Sequence, residues 1–217
     1  MPRERNEFFR DSKVREKEKI FVLAFEGNIA EEEYFEEIKS LEEFNDELIY
    51  LHLLKRPRGD TNSAPKHVFN KLRKEAREEY NFGKDDELWM VIDTDRWKNI
   101  PEIINLCEAV ENMYVAVSNP CFEFWLLLHI YKYEDLTEEE IENLVANKKV
   151  SNKRRYIDQF LGEKIGDGYN KSNPRTNRFV GYVKSAIIEA KRLEKKGEKY
   201  PSELGTYVYR VVEKLLK

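Results

Sequence analysis

The hydrophobic residues of the chain form short apolar runs, separated by longer segments in which apolar residues recur with helical spacing. The apolar runs predict four strands, at 20–25, 48–54, 88–92 and 113–117. Because the first and third runs are apolar throughout, we expect strands that are buried on both faces, as in a parallel sheet covered by helices. The helical spacing predicts helices at 29–43, 64–80, 100–111, 120–131, 138–147, 150–161, 177–196 and 202–216.

The order of these elements predicts the fold class. Strands and helices alternate as far as residue 131, which indicates right-handed crossovers and a mostly parallel α/β sheet with helices on both faces. We expect three parts: a charged N-terminal arm at 1–18, an α/β domain at 19–133, and a basic, all-helical C-terminal region at 134–217 that packs on the domain. The Gly- and Asn-rich segment 162–173 is expected to be a loop.

Two aspartates follow the third predicted strand, in the segment Glu87-Leu-Trp-Met-Val-Ile-Asp-Thr-Asp-Arg96. Residues two apart on a strand point to the same side, with Cα atoms about 6.6 Å apart at a rise of about 3.3 Å per residue. Asp93 and Asp95 can therefore share a divalent cation, or hold two cations about 3.5–4 Å apart. Without a cation, the two carboxylates would repel each other.

Two further acidic residues occupy comparable positions. Glu26 follows the first strand, and Glu123 lies in the first turn of the helix at 120–131. Open α/β sheets bind ligands at the carboxyl ends of their strands, so we expect Glu26 to lie near the two aspartates. Oxygen ligands of this kind suit Mg²⁺ or Mn²⁺ and are poor for zinc. They predict phosphoryl-transfer chemistry, in which the cation polarises a phosphate and generates or positions a nucleophile.

Each of these acidic residues also has a structural interpretation. Glu26 could be a solvated residue of a strand-to-helix turn, and the two aspartates could cap the turn that follows them. Glu123 could complement the helix dipole in the first turn, although a buried carboxylate needs a partner. Glu31 has the spacing of a capping box with Asn28, which favours a structural role over a catalytic one.

The remaining reactive residues offer no rival mechanism. The histidines at 52, 67 and 129 are scattered, and the chain has no nucleophile elbow, P-loop or Gly-rich dinucleotide motif. His129 falls on an apolar helix and is expected to be a core histidine. Cys107 and Cys121 lack the spacing of metal ligands and are expected to be reduced core residues.

Charge is divided unevenly along the chain. The formal net charge is −4, but residues 148–217 hold 18 Lys+Arg against 8 Asp+Glu, while residues 1–147 hold the other 20 against 34. This division indicates a C-terminal region that binds a polyanion and a body that binds cations. The alternative, that both regions are ordinary solvated surfaces, stays open.

Several cations are candidates for contact with a nucleic acid. Arg56 and Arg58 lie in a basic loop after the second strand, and Arg96 follows the aspartates, where it could pair with a phosphate or with a neighbouring acid. In the C-terminal region, cations are mixed with tyrosines as in binders of single strands or RNA. The candidates there are Lys153, Arg154, Arg155 and Lys171.

Composition bears on location and source. No apolar run reaches 18 residues, and the N-terminus carries no signal-peptide pattern, so we expect no membrane segment and a cytoplasmic protein. Charged residues make up 37% of the chain and Gln occurs only at Gln159, a bias that points to a thermophilic source. Oligomeric state is left open, with a homo-oligomer as one option.

Three stretches together resemble the signatures of the RloB-like protein family. They are Phe25-Glu-Gly-Asn-Ile-Ala-Glu31, Asp93-Thr-Asp-Arg96 and Ser118-Asn-Pro-Cys-Phe-Glu-Phe-Trp-Leu-Leu-Leu-His129, and the similarity continues weakly through Gly168-Tyr-Asn-Lys171. The resemblance implies a Toprim-like fold, a Glu after the first strand as general acid or base, and an Asp-x-Asp that binds Mg²⁺. One departure is Ala30, where the family commonly has Thr.

The resemblance also implies a role in prokaryotic defence against phage, beside an ATPase partner. With the acidic residues above, it predicts a metal-dependent nuclease of Toprim type that cleaves RNA, including tRNA, or DNA. Glu26, Asp93 and Asp95 would be catalytic, and Glu123 would join them at the metal. Two alternatives stay open: a non-catalytic module that binds nucleic acid or a partner and works with an ATPase, and phosphoryl chemistry on a nucleotide or small phosphate ester.

Overall fold

A five-stranded sheet lies at the centre of the computed structural model, which describes residues 17–27, 29–55, 64–78, 82–94, 97–152 and 154–217. The strands are β1 Lys19–Phe25, β2 Ile49–Leu54, β3 Glu87–Asp93, β4 Met113–Asn119 and β5 Gly205–Thr206. Their order is β2-β1-β3-β4-β5; β1 to β4 are parallel, and β5 is antiparallel to β4. The predicted α/β class with a mostly parallel sheet is therefore confirmed.

Helices cover both faces of the sheet. They are α1 Ala30–Ile38, α2 Pro65–Glu78, α3 Ile100–Glu108, α4 Phe122–Ile130, α5 Glu138–Ala146, α6 Tyr156–Ile165, α7 Asn177–Val180, α8 Val183–Leu193 and α9 Val208–Leu215. Among the helices of the described ranges, none combines the length and the apolar character that crossing a lipid bilayer requires. The predicted N-terminal arm falls almost wholly on residues outside these ranges.

Two separate cores explain why the strands are apolar throughout. On β1, Ile20 and Val22 pack with residues of α2 and α3, whereas Phe21 and Leu23 pack with α1, α4 and the helices after residue 134. Because side chains alternate along a strand, a strand with a core on each side needs an apolar residue at every position. The core on the second side also joins the C-terminal region to the sheet.

Helix α4 is buried on every side, as its sequence predicts. All its residues from Phe122 to His129 are buried. It begins at Phe122, so the predicted start at Pro120 is wrong. The reason is that Asn119 still belongs to β4, where it pairs with Gly205 of β5 and stays extended, so the N-cap position falls on Cys121.

The C-terminal region is not entirely helical, which corrects one part of the prediction. Its Gly205–Thr206 segment forms β5 at the edge of the sheet, and the hydroxyl groups of Ser118 and Thr206 are hydrogen-bonded at 2.8 Å. Helix α6 also begins at Tyr156 instead of residue 150, because Lys149 and Arg155 pair as an antiparallel bridge across a turn.

His129 is a core histidine, as expected from its position on an apolar helix. It is buried, and its Nδ1 lies 2.9 Å from the carbonyl oxygen of Trp125. A carbonyl oxygen only accepts, so Nδ1 carries the proton and Nε2 accepts a hydrogen bond from the Tyr34 hydroxyl at 3.0 Å. Burial lowers the pKa of His129 to about 4.

We expect this histidine to make the protein sensitive to acid. Below pH 6.5 the unfolded state binds a proton on His129, whereas the folded state does not until about pH 4, so stability is lost as the pH falls through that window. The stability advantage of wild type over His129→Gln should shrink by roughly 3 kcal/mol between pH 7 and pH 4. Urea denaturation measures this difference, with the exposed His67→Asn as control. An advantage that does not change with pH would contradict it.

Candidate functional site

The carboxyl ends of β1 and β3 meet at one edge of the sheet. These strands are neighbours, and Phe25 is paired with Val91. The backbone N–H of Glu26 donates to the carbonyl oxygen of Val91 at 3.0 Å, and the N–H of Asp93 donates to Oε2 of Glu26 at 3.1 Å. Glu26 and Asp93, predicted from separate strands, are therefore in direct contact.

Trp97 is a second partner of Glu26 that the sequence did not indicate. Its indole N–H donates to Oε1 of Glu26 at 2.6 Å. With the N–H of Asp93 on Oε2, each oxygen of the Glu26 carboxylate accepts a hydrogen bond, and the residue is only 5% exposed. The carboxylate is held in one orientation at the strand edge. No pattern in the sequence separates Trp97 from the other aromatic residues.

Glu31 caps the loop between β1 and α1, as its spacing suggests, although through a different donor. Its Oε1 accepts the backbone N–H of Gly27 at 3.0 Å, while Asn28 lies outside the described residues. A Cβ atom at position 27 would lie 2.2 Å from both carboxylate oxygens, so this approach requires glycine. Burial raises the pKa of Glu31 to about 7, and the negative charges of Glu123 and Glu26 act in the same direction.

Glu123 is buried and paired with a cation from the C-terminal region. Its Oε1 lies 3.1 Å from Nζ of Lys171 and accepts a hydrogen bond from the Tyr169 hydroxyl at 3.3 Å. Burial alone would raise the pKa of Glu123, but Lys171 and the Cys121 thiol outweigh it and the pKa is lowered. The partner that a buried carboxylate needs is thus supplied by protein.

Lys171 bridges two carboxylates. Its Nζ also lies 3.2 Å from Oδ1 of the buried Asp158, whose Oδ2 accepts the backbone N–H of Arg155 at the start of α6. Burial raises the pKa of Asp158, and Lys171 offsets part of that rise. Asp158 was not predicted as a site residue, because along the sequence it is simply an acid in the first turn of a helix.

The loop that carries Tyr169 and Lys171 is fixed at both ends. At its start, the backbone of Tyr169 comes so close to α6 that a Cβ atom on Gly162 would lie 2.8 Å from the Tyr169 nitrogen. At its end, the N–H and the hydroxyl of Thr176 donate to Oε1 of Glu33 on α1, at 2.8 and 3.2 Å. The C-terminal region therefore completes the site that the α/β domain begins.

Some predicted site residues cannot be located in this way. The predictions for Asp95, Arg56, Arg58, Arg96 and Lys153 fall on residues outside the described ranges. The three other predicted cations come together, because Arg154, Arg155 and Lys171 line one cavity with Lys149 and Asp158. Arg155 also donates from Nη1 to the carbonyl oxygen of Asn147 at 3.1 Å.

The donor groups at the strand edge have the chemistry of a hard cation site. Within the described ranges, no three His, Cys, Asp or Glu side chains are grouped to hold a metal ion together. The Glu26 carboxylate nonetheless accepts the backbone N–H of Asp93, so the two residues meet at this edge, and the negative charge of Glu26 raises the pKa of Glu31. Oxygen-only donors of this kind fit Mg²⁺ or Mn²⁺, with Asp95 as the remaining predicted ligand.

We expect Glu31 to destabilise the metal-free protein as the pH rises. Between pH 4.5 and about pH 7 the unfolded state loses the Glu31 proton while the folded state retains it, so each rise in pH favours unfolding. Replacing Glu31 by Gln should remove roughly 3 kcal/mol of this loss. Urea denaturation in EDTA from pH 4.5 to 8 measures it, with the exposed Glu102→Gln as control. Parallel curves for wild type and Glu31→Gln would refute the expectation.

Glycine at position 162 should be required for the loop to reach the acidic residues. A Cβ atom there would meet backbone, which cannot rotate away, so Gly162→Ala should cost about 1–3 kcal/mol of unfolding free energy. Gly181→Ala is the matched control, because nothing lies within 4 Å of its Cβ position, and it should be neutral or slightly stabilising. Equal stability of the two variants by urea denaturation would show that the close approach carries no constraint.

Comparison with known proteins gives one match. The family model described as RloB-like protein matches residues 21–215, which include β1, the acidic strand edge, α4 and the C-terminal region. No curated protein and no solved structure matches the chain. Since the family model covers nearly the whole sequence, the chain belongs to the RloB-like protein family.

Proposed function

We propose that this RloB-like protein is a metal-dependent nuclease of Toprim type that uses Mg²⁺ or Mn²⁺ to cleave RNA, including tRNA, or DNA. The observation that carries the proposal is the contact between Asp93 and Glu26, whose N–H to Oε2 distance of 3.1 Å joins two strand ends at one edge. Carboxylates that converge at the carboxyl end of a parallel sheet are the usual setting for such chemistry.

Asp93 and Asp95 are the residues that we propose to hold the cation. When bound, the cation would polarise the phosphate of the substrate and stabilise the charge that develops on it. Asp93 is suited to this role because its backbone is fixed by the Glu26 carboxylate and by its place in β3. Its side chain follows a strand with both faces covered, so its position tolerates little movement.

Glu26 is proposed as the general acid or base. Its carboxylate is oriented by Trp97 and by the Asp93 N–H, so it can take a proton from a nucleophile or give one to a leaving group without first reorganising. Trp97 is then a positioning residue, which acts through Glu26. Its indole also helps to keep the carboxylate away from bulk water.

Glu123, predicted as a metal ligand, is better suited to holding Lys171. The pair at 3.1 Å, together with Asp158 at 3.2 Å, keeps an ammonium group beside the acidic strand edge. A fixed cation at this place would stabilise negative charge on a phosphate. We therefore propose that Glu123 and Asp158 are positioning residues, and that the Lys171 ammonium group contacts a phosphate of the substrate.

A second candidate function is a non-catalytic module that binds nucleic acid or a partner protein and works with an ATPase. The observation that favours it is that Lys171 already pairs with both Glu123 and Asp158, so each of these carboxylates has a cationic partner from the protein itself. Such a module would bind nucleic acid in EDTA and would gain nothing from Mn²⁺. For either function we propose a cytoplasmic setting and a role in prokaryotic defence beside an ATPase partner, the role that the resemblance to RloB-like proteins implies.

The nuclease proposal predicts metal-dependent cleavage that requires both strand-end acids. Incubation of the protein with single-stranded RNA, tRNA and DNA in Mg²⁺ or Mn²⁺ should yield cut products. Asp93→Asn and Glu26→Gln should each lower the rate by about 10²–10⁴-fold. Glu102→Gln, an exposed acid on α3, is the matched control and should cut at the wild-type rate.

Calorimetric titration with Mn²⁺ separates the two functions. A nuclease should bind Mn²⁺ in wild type and lose that binding in Asp93→Asn, whereas a non-catalytic module should show no binding in either. Intact substrates under every condition, or equal cutting by wild type and Asp93→Asn, would overturn the nuclease. Nucleic-acid binding that persists unchanged in EDTA would then support the module.

A further inference from the structure

A cavity in the C-terminal region lies next to the acidic residues of the site. It measures about 380 Å³, and its lining includes Lys149, Arg154, Arg155 and Lys171, with Asp158 as the one carboxylate. Lys171 and Asp158 also belong to the buried ion cluster with Glu123. The cavity is therefore continuous with the site, and four cationic side chains surround it.

The turn that presents these cations is built by specific hydrogen bonds. Asn147 is buried in the left-handed conformation, with φ of 40°, and its Oδ1 accepts the backbone N–H of Ile157. The N–H of Val150 donates to the carbonyl oxygen of Arg154, and that of Tyr156 donates to the carbonyl oxygen of Lys148. The backbone on both sides of the cavity is thus fixed before any ligand arrives.

The backbone donors at the start of α6 are already in use. Arg155 N–H donates to Asp158 Oδ2, and the N–H groups of the next two residues donate to Lys148 and Asn147. A ligand in the cavity would consequently be recognised by side-chain cations. Guanidinium and ammonium groups pair well with phosphate oxygens, and guanidinium can do so through two parallel hydrogen bonds.

Two of the cations that line the cavity are not paired with a carboxylate of the described residues. Throughout the described ranges, neither the Lys149 nor the Arg154 side chain forms an ion pair with a carboxylate. Lysines elsewhere are often paired, for example Lys184 with Glu43 and Lys191 with Glu213. Lys171 is 43% exposed, so it can be reached from solvent while it remains paired.

We propose that this cavity is a phosphate-binding subsite, which holds a phosphate group of the nucleic acid next to the one that is cleaved. The assignment of that phosphate to the substrate rests on the proposed function. The cavity is of a size that takes one phosphate with part of its nucleoside, since sites for small ligands begin at about 300 Å³. Lys171 links the subsite to Glu123, so a strand anchored here passes the acidic edge.

The test uses inorganic phosphate as the probe, with full-length protein, EDTA and low ionic strength. Wild type should bind phosphate saturably, with a dissociation constant on the order of 1 mM, measured by calorimetry. Arg154→Gln should weaken binding roughly tenfold, and Lys149→Gln with Arg154→Gln further, through loss of charge-assisted hydrogen bonds. Arg73→Gln and Lys196→Gln are matched controls, because both are exposed cations outside the cavity.

The outcomes separate a specific subsite from general attraction of anions. No saturable binding by wild type, or equal loss in Arg154→Gln and the two controls, would overturn the subsite. Urea denaturation checks that the cavity variants keep wild-type stability, as expected for exposed side chains. A short single-stranded oligonucleotide should compete with phosphate, and its binding should also weaken in Arg154→Gln; failure to compete would overturn the assignment to the substrate.

Failure of the subsite and failure of the nuclease are distinguishable. Glu26→Gln should slow cleavage by the factor given above while leaving phosphate binding unchanged, because Glu26 does not line the cavity. If wild type cuts nucleic acid but Arg154→Gln binds phosphate normally, only the subsite fails. If phosphate binding depends on Arg154 but no substrate is cut, only the nuclease fails.

Discussion

The ion cluster of Glu123, Lys171 and Asp158 is the interaction on which the site depends. Two buried carboxylates are costly to remove from water, and the shared ammonium group at 3.1 and 3.2 Å offsets that cost. Since Glu123 lies on α4, Asp158 on α6 and Lys171 on the following loop, the cluster holds three segments in one arrangement. Removing Lys171 would leave two buried carboxylates without their cation. Such a loss destabilises a protein more than replacing the whole ion cluster by apolar residues would.

The same edge of the sheet brings several acidic side chains close enough to influence one another. Glu31 lies within reach of the charges of Glu123 and Glu26, and its pKa of about 7 reflects burial together with that repulsion. The Glu31 carboxylate can lie against the backbone at position 27 because Gly27 has no side chain. A buried acid whose pKa is raised by burial and by neighbouring charges is a common property of functional sites.

Titration affects the stability of the fold in two opposing directions. His129 is buried in its neutral form, so it lowers the stability of the fold as the pH falls. Glu31 is buried beside other acids, so it lowers the stability as the pH rises. Over the range between about pH 4.5 and 6.5 the two effects partly cancel. The contribution of each group is therefore seen separately only when the other is replaced.

The sequence alone determined the four parallel strands, the buried character of α4 and the meeting of Glu26 with Asp93. A sheet with a core on each face requires strands that are apolar throughout, and the carboxyl ends of parallel strands lie at one edge. Only the tertiary structure decided that Gly205–Thr206 is a strand, since two residues without an apolar pattern give no periodic signal. It also decided the contacts of Trp97 with Glu26 and of Lys171 with Asp158, and it paired Glu123, a predicted metal ligand, with the same lysine. These contacts join residues that lie from 13 to 71 positions apart in the sequence, and periodicity and local spacing do not record contacts of that kind.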